Sequence, residues 1–365
     1  MLKASLPLLL STLAALPAAA LDLSRANVRS FVDEMSREHG FERATVEALL
    51  GQAETKQPIL DAISRPAERV VPWYEYRERF LTGQRIAQGA QFWAEHAARL
   101  ARIDRDELAA AVVGILGVET SYGRITGRYR VIDALATLAF DYPPRGEFFR
   151  TELREFLMLS REEHVDPASA LGSYAGAMGA PQFISSSYRR YAVDGDGNGR
   201  RDLWNSWDDV IDSVANYLTA HGWRAGEPVV ADATLIPATA PDTSDAATAN
   251  APASTRSAAP EPDLSLFDTS TLELNETVGS LRKKGVRFET RLPADAPAML
   301  IVAQGKDGPV LRVGFNNFYV ITRYNRSTMY AMAVHELGAA VQDAMRAGLP
   351  LDGVGDAATA SDGTR

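Results

Sequence analysis

Leu108-Ala109-Ala110-Ala111-Val112-Val113-Gly114-Ile115-Leu116-Gly117-Val118-Glu119-Thr120-Ser121-Tyr122-Gly123 is an apolar run that ends in an acid and a turn. Leu108, Val112, Ile115 and Leu116 recur at helical spacing, so the stretch predicts a helix with one apolar stripe facing a core. Glu119 falls on that same stripe. A carboxyl group at the end of a buried helical face is partly desolvated, which raises its pKa and lets it hold a proton near neutrality, as a general acid must. Thr120 and Ser121 continue helices poorly and Gly123 can take left-handed backbone angles, so the helix should stop there and open onto a groove. Taken alone, Glu119 could equally be a capped or salt-bridged helix-end residue, and the rest of the chain has to decide.

Outward from this stretch the pattern stays helical. Val28, Phe31, Val32 and Met35 fit an amphipathic helix stopped by Gly40, and Val46, Leu49, Leu50 and Ala53 a second. Val131, Ile132, Leu135, Leu138 and Ala139 make another stripe, ended by Asp141-Tyr142-Pro143-Pro144, and Phe149, Leu153, Phe156 and Leu157 one more. Trp73-Tyr74-Glu75-Tyr76-Arg77 is rich in aromatics, which either pack half-buried or stack on sugar faces with a polar tip free; Tyr76 is the candidate there.

The 365 residues are 46% hydrophobic, enough for one large domain or two ordinary ones. Residues 1–20 carry one early cation, Lys3, an apolar run from Leu6 to Leu16, then Ala18-Ala19-Ala20; this reads as an export signal, too short to span a membrane. There is no cysteine, which excludes disulfides, a thiol nucleophile and a lipid-attachment site. A net charge of -9 without any Lys/Arg run argues against nucleic acid as a partner. His39, His96, His164, His221 and His335 lack metal spacing, and no serine sits in a nucleophile elbow.

Gly172-Ser173-Tyr174-Ala175-Gly176-Ala177-Met178-Gly179-Ala180-Pro181-Gln182-Phe183 interrupts the helices; its small residues imply close backbone approach to a neighbouring helix or to a ligand. Further on, Asp194-Gly195-Asp196-Gly197-Asn198-Gly199-Arg200-Arg201-Asp202-Leu203-Trp204-Asn205 has oxygen side chains at loop positions one, three and five, Gly199 at six and Asp202 at nine, as a calcium loop does. Arg200, at seven, would contribute its backbone carbonyl. Position twelve, Asn205, offers one neutral oxygen where a bidentate carboxylate is usual, which predicts weak binding. Val210, Ile211, Val214, Tyr217 and Leu218 follow as the exiting helix.

Residues 231–263 collapse to Ala, Thr, Pro, Ser and Asp and read as a linker or surface insertion. Beyond it, Met299 to Ala303 and Val310 to Phe315 predict a hairpin across Lys306-Asp307-Gly308, Phe318 to Thr322 a further strand, and Ser327 the cap of a helix carrying Met329, Met332, Ala333 and Leu337 up to Gly348. The tail 349–365 reads as disordered.

Three matches in order, Gly-Val-Glu-Thr around Glu119, Ser173 to Phe183, and Thr322-Arg323-Tyr324-Asn325-Arg326-Ser327, resemble the membrane-bound lytic transglycosylase B type of murein-cleaving enzyme, over about Val28 to Ala347 without the linker. Ala180-Pro181 and Ile184-Ser185 depart from the family's usual aromatic-glycine and Met-Pro. The resemblance implies an α+β, mainly helical, lysozyme-like catalytic domain over residues 21–230 with an EF-hand-like loop at 194–205. It implies that residues 264–348, with a small antiparallel sheet and a helix, fold back to complete it. It further implies Glu119 as the single catalytic carboxyl group and Ser173, Gln182, Phe183, Tyr217, Tyr324, Asn325 and Tyr330 as substrate-binding, with Tyr76 added from the aromatic cluster. The loop would be somewhat longer than twelve residues, with Asp209 closing a structural calcium site alongside Asp194, Asp196, Asn198, Arg200, Asp202 and Asn205. The partners implied are peptidoglycan strands, with cell-wall synthesis proteins as candidate recruiters, in the periplasm. A hydrolytic muramidase and a non-catalytic calcium-dependent peptidoglycan-binding protein are the alternatives.

Overall fold

The computed structural model describes residues 19–65, 71–103, 107–236 and 264–348. Most of the export signal, residues 237–263 of the linker and the tail lie outside the described residues. The chain forms two compact units: the N-terminal part to Arg65 joins Arg128–Ala177, and Pro66–Gly127 joins everything from Met178 onward. The chain passes between the units at 65, 127 and 177.

The first unit is a set of helices, chiefly Ala26–His39, Arg43–Gly51, Gln57–Ser64, Val131–Asp141 and Gly146–Glu162. Their cores are the apolar positions read from the sequence: Val28, Phe31, Val32 and Met35, then Val131, Leu135 and Leu138, then Phe149, Leu153 and Phe156, all buried. Gly40 ends the first helix at φ 66°, its N–H returning to the Met35 carbonyl, a geometry that favours glycine. Ala19–Ala20 pairs antiparallel with Glu54–Thr55. Asp133, 2% exposed, organises this region. Its carboxylate accepts two bonds from the Arg130 guanidinium, both 2.8 Å, and one from the Glu54 N–H at 2.9 Å. Asp133→Ala removes a buried acceptor of three hydrogen bonds but leaves the partly exposed Arg130 its bond to the Gln52 carbonyl, so a stability loss of about 2 kcal/mol is expected, read as a drop in the urea midpoint.

In the second unit the helix Glu107–Thr120 lies against Thr328–Arg346. It is buried almost all round rather than along one stripe: Ala109, Ala111, Val113, Gly114 and Gly117 are inside together with Leu108, Val112, Ile115 and Leu116. An apolar sequence on every face is the mark of a helix enclosed by neighbours. Close approach needs small residues. A Cβ added at Gly114 would run into the Val334 carbonyl, and one at Gly338 into the Ala110 carbonyl.

An antiparallel five-stranded sheet follows the order Glu276–Thr277, Pro297–Gln304, Pro309–Gly314, Val230–Leu235, Val286–Arg287. The expected hairpin is present, with Met299 opposite Gly314 and Gln304 opposite Pro309. Two expectations are corrected. Residues 231–235, read as linker, belong to a strand that pairs with Leu311 to Gly314 on one side and Val286–Arg287 on the other, because the alternation Val230-Ala231-Asp232-Ala233-Thr234-Leu235 suits a half-buried strand despite its poor composition. The segment Phe318 to Thr322, read as a strand, belongs to the helix Asn316–Tyr324, which buries Asn317, Phe318, Val320, Ile321 and Thr322. A short apolar run does not distinguish strand from buried helix by periodicity, and here tertiary burial outweighs the β preference of Val and Ile. Asn317 is fully buried and clamps the preceding loop: its amide accepts from the Arg224 N–H and donates to the Arg224 and Glu227 carbonyls, each at 2.8 Å. Among the described residues no helix is long and apolar enough to cross a membrane.

Candidate active site

Glu119 occupies the last turn of its helix, and the chain then reverses through three left-handed residues, Ser121 at φ 49°, Tyr122 at 58° and Gly123 at 78°. Two of these carry side chains, so the turn is strained and persists because its surroundings over-determine it. Tyr122 N–H reaches the Leu116 carbonyl at 3.0 Å, and the Thr120 hydroxyl accepts from Gly123 N–H at 3.0 Å while donating to the Ala180 carbonyl at 2.8 Å. The Tyr122 ring is buried and stacked on Phe92, 5.4 Å between centroids, with its phenol end lodged against Gly89 and Gly117.

The Glu119 carboxyl receives the Tyr330 hydroxyl at 2.7 Å. Tyr330 is placed by the start of its own helix, where the Ser327 side chain accepts from Tyr330 N–H at 3.2 Å. Burial pushes the Glu119 pKa up to about 7, against the opposing pull of the Tyr330 hydrogen bond. Glu119 as a residue is nevertheless partly exposed, so its enclosure is dense but not sealed. Among the described residues, no second carboxylate contributes to the shift. The phenol of half-buried Tyr76 is also shifted upward, first by burial and then by the Glu119 charge, which places Tyr76 in the same electrostatic neighbourhood.

Aromatic rings extend from Tyr330. Tyr324 lies nearly parallel to it at 6.5 Å, Tyr217 meets Tyr324 at 4.8 Å, and Phe183 sits 5.6 Å from Tyr217 and 5.8 Å from Tyr324. Backbone carbonyls hold the phenols: Tyr324 donates to Pro181 at 2.6 Å and Tyr217 to Arg323 at 2.7 Å. Gln182, itself left-handed at φ 54°, spends its amide hydrogens on the carbonyls of Thr126 at 3.0 Å and Gly179 at 2.9 Å, so it ties backbone to backbone rather than holding the acid. Asn325 is exposed at the end of the helix Asn316–Tyr324. Ser173 belongs to the first unit, where its hydroxyl oxygen accepts from Ala175 N–H at 3.2 Å and Ala177 N–H at 3.1 Å.

A half-buried helix-end glutamic acid with a raised pKa, flanked by tyrosines, has the attributes that general-acid chemistry requires. Residues 24–339 match the family described as the transglycosylase SLT domain. The chain belongs to that family. It is 37% identical over 326 residues to membrane-bound lytic murein transglycosylase B of Escherichia coli K12, covering 86% of this chain and 82% of the relative. Among solved structures it is similar to soluble lytic transglycosylase SltB1 from Pseudomonas aeruginosa, with 46% identity, a TM-score of 0.74, and coverage of 87% of this chain and 98% of that one. It is similar also to Escherichia coli lytic transglycosylase Slt35 in complex with calcium, with 34% identity, a TM-score of 0.74, and coverage of 90% and 97%. The mainly helical lysozyme-like architecture with its antiparallel sheet is shared with these structures, and the chain is a lytic transglycosylase.

In this transglycosylase the loop after the glycine-rich stretch gathers Asp194, Asp196 and Asp209, which can bring one oxygen each within 4.8 Å of one another. Asp209 is fully buried, and its two oxygens accept from Gly195 N–H at 2.8 Å, Asp196 N–H at 3.3 Å and Asp202 N–H at 2.7 Å. Three converging carboxylates, one without access to water, fit a hard divalent cation with oxygen ligands. Asp202 and Asn205 stand outside this group, since the Asn205 amide donates to the Asp202 carboxylate at 3.0 Å and that carboxylate also takes Trp204 N–H at 2.9 Å. Exposed Asn198 accepts from Arg200 N–H at 2.9 Å.

The roles of Thr120 and Tyr122 in fixing the turn were not legible beforehand. The pair Gly114 and Gly117 in an otherwise bulky helix was the available signal, because it announces a close neighbour. Removing the Tyr330 hydroxyl, which favours the ionised acid, is expected to raise the Glu119 pKa further. Tyr330→Phe should therefore move the alkaline limb of the pH–rate profile upward and lower kcat about tenfold, as the loss of one bond to a charged group implies.

Proposed function

We propose that this transglycosylase cleaves the β-1,4 bond between N-acetylmuramic acid and N-acetylglucosamine of peptidoglycan and leaves a 1,6-anhydromuramoyl end, with Glu119 as acid and then base. The observation that carries this reading is a proton-retaining carboxyl group bound to Tyr330 on which, among the described residues, no second carboxylate acts. Ordinary glycosidases divide the work between two carboxylates. With one, Glu119 gives its proton to the glycosidic oxygen as the bond to C1 breaks, then takes the proton of the sugar's own C6 hydroxyl as O6 closes on C1. An internal hydroxyl outcompetes water because well-placed intramolecular groups reach effective molarities of roughly 10⁵ to 10⁸ M. Tyr330 steadies the carboxylate between the two transfers. Tyr76, Tyr217, Tyr324, Asn325 and Phe183 offer ring faces and polar tips to the sugars, and Gln182 braces the backbone beside them. The carboxyl-rich loop holds a structural calcium ion through Asp194, Asp196 and Asp209, a reading supported by the calcium complex of a relative; the ion orders the loop and takes no part in the bond changes.

A peptidoglycan substrate implies work outside the cytoplasm, in keeping with the reading of residues 1–20 as an export signal and a periplasmic site of action. Digestion of purified sacculi followed by mass spectrometry tests the reaction. Products lighter by one water than hydrolytic fragments are expected; fully hydrated reducing ends would make the enzyme a muramidase instead.

A further inference from the structure

The loop 194–209 is joined to the turn after Glu119 by two separate routes. The first is a ring contact. Trp207 opens the helix that leaves the loop, and a Cβ added at Gly123 would lie 2.9 Å from its Cζ2 and Cη2 atoms, so the indole rests directly on the backbone of the strained turn. Its ring neighbours are His96 at 5.6 Å and Phe92, edge-on at 4.9 Å, and Phe92 in turn stacks on Tyr122. The second route is a relay of hydrogen bonds. The Leu203 carbonyl within the loop accepts from Ala180 N–H at 3.1 Å, the Ala180 carbonyl accepts from the Thr120 hydroxyl, and that hydroxyl accepts from Gly123 N–H.

On the loop side, Trp207 is tied to the carboxylates. Ser206, its immediate predecessor, donates to Asp196 at 3.0 Å and accepts from Asp209 N–H at 3.3 Å. Asp209 lies two residues beyond Trp207 and anchors the loop backbone at Gly195, Asp196 and Asp202. The three mutually repelling carboxylates therefore bracket the residue that presses on the catalytic turn.

We infer that Trp207 is a positioning residue for Glu119, coupling the loop to the turn Thr120–Gly123 so that a divalent cation held by Asp194, Asp196 and Asp209 steadies the acid. This rests on the calcium reading given above. The left-handed Ser121 and Tyr122 stay in place only while their neighbours enforce it, and a loop splayed by charge repulsion would withdraw both the indole and the Leu203 carbonyl. The acid would then leave its productive geometry while Tyr330, placed by the start of its own helix, stayed put. The effect falls on kcat and spares KM.

The test uses the full chain stripped with a chelator and titrated with calcium alone. Binding is followed by calorimetry, and kcat and KM on soluble murein glycan fragments are measured at a temperature where circular dichroism shows both forms folded. Wild type is expected to gain about tenfold in kcat on binding calcium, the order that a sub-ångström displacement of a catalytic group produces, with KM unchanged. Trp207→Phe, which keeps an aromatic ring but not the reach to Gly123, should bind calcium as wild type does while its kcat is low and no longer responds. Trp207→Ala should do the same wherever it folds, and Trp207→Phe decides the matter where it does not. No heat of calcium binding to wild type would remove the calcium reading and this inference with it. Calcium that binds without changing kcat, or a Trp207→Phe enzyme that responds as fully as wild type, would overturn the inference alone.

Discussion

Glu119→Gln is expected to lower murein cleavage by about a thousandfold or more, because in the proposed mechanism one group both delivers and removes the proton. The same substitution should make the protein more stable at alkaline pH. The folded-state pKa of about 7 lies above the ordinary glutamate value, so the fold disfavours the ionised form. Below the ordinary value the acid is protonated in folded and unfolded chains alike and exerts no penalty. Between there and pH 7 the penalty grows, and above pH 7 it is fully present, with a ceiling of about 3 kcal/mol. Glutamine keeps the shape and removes the charge. Thermal unfolding at pH 5 and pH 9 should show a gain for Glu119→Gln over wild type that is small at the first and large at the second. An inactive variant with the same unfolding difference at both would mean that the acid is not held against its charge.

The second large effect concerns the helix contact that buries the acid. Gly114→Ala places a methyl group against the Val334 carbonyl, and backbone has no rotamer by which to retreat. Alanine gains about 1 kcal/mol in helix propensity over glycine, yet the overpacking outweighs it, and a net loss of about 3 kcal/mol in the urea midpoint analysis is expected. Gly338→Ala, facing the Ala110 carbonyl, should behave alike. Gly83→Ala is the control: no atom lies within 4 Å of its added Cβ and its backbone is ordinary, so it should be neutral or slightly stabilising. Both Gly114→Ala and Gly338→Ala should also lower activity, because Tyr330 rides on the displaced helix.

The placement of the Glu119 carboxyl group at a helix end before a turn was legible because local rules converge on it: apolar spacing up to Leu116, poor helix formers at Thr120 and Ser121, and Gly123 to turn the chain. The resemblance then supplied its partners Tyr324 and Tyr330, which lie far along the chain and which no local pattern connects to residue 119. The reason for its burial was read less well. A single stripe was expected, whereas Gly114 and Gly338 let the two helices meet so closely that no face of the helix stays open. The helix Asn316–Tyr324 was misread because Phe318-Tyr319-Val320-Ile321-Thr322 has the composition of a strand, and what decides against it is the clamp of Asn317 on Arg224 and Glu227, a contact spanning about ninety positions. The strand Val230–Leu235 was missed for the opposite reason, since its alanines and aspartate match a linker until a partner strand is supplied. At the loop, spacing drew attention to Asp194 and Asp196 and the resemblance to Asp209, and the geometry gathers these three carboxylates. Trp207 gave no sequence signal at all, because its contact is with a backbone.

The dependence of kcat on pH tests the central claim most directly. One protonated carboxyl group, and no ionised partner, predicts activity that is level through the acidic range and falls about tenfold per pH unit above a single midpoint near 7. A bell-shaped profile with an acidic limb in the ordinary carboxylate range, the mark of a second essential carboxylate, would contradict it.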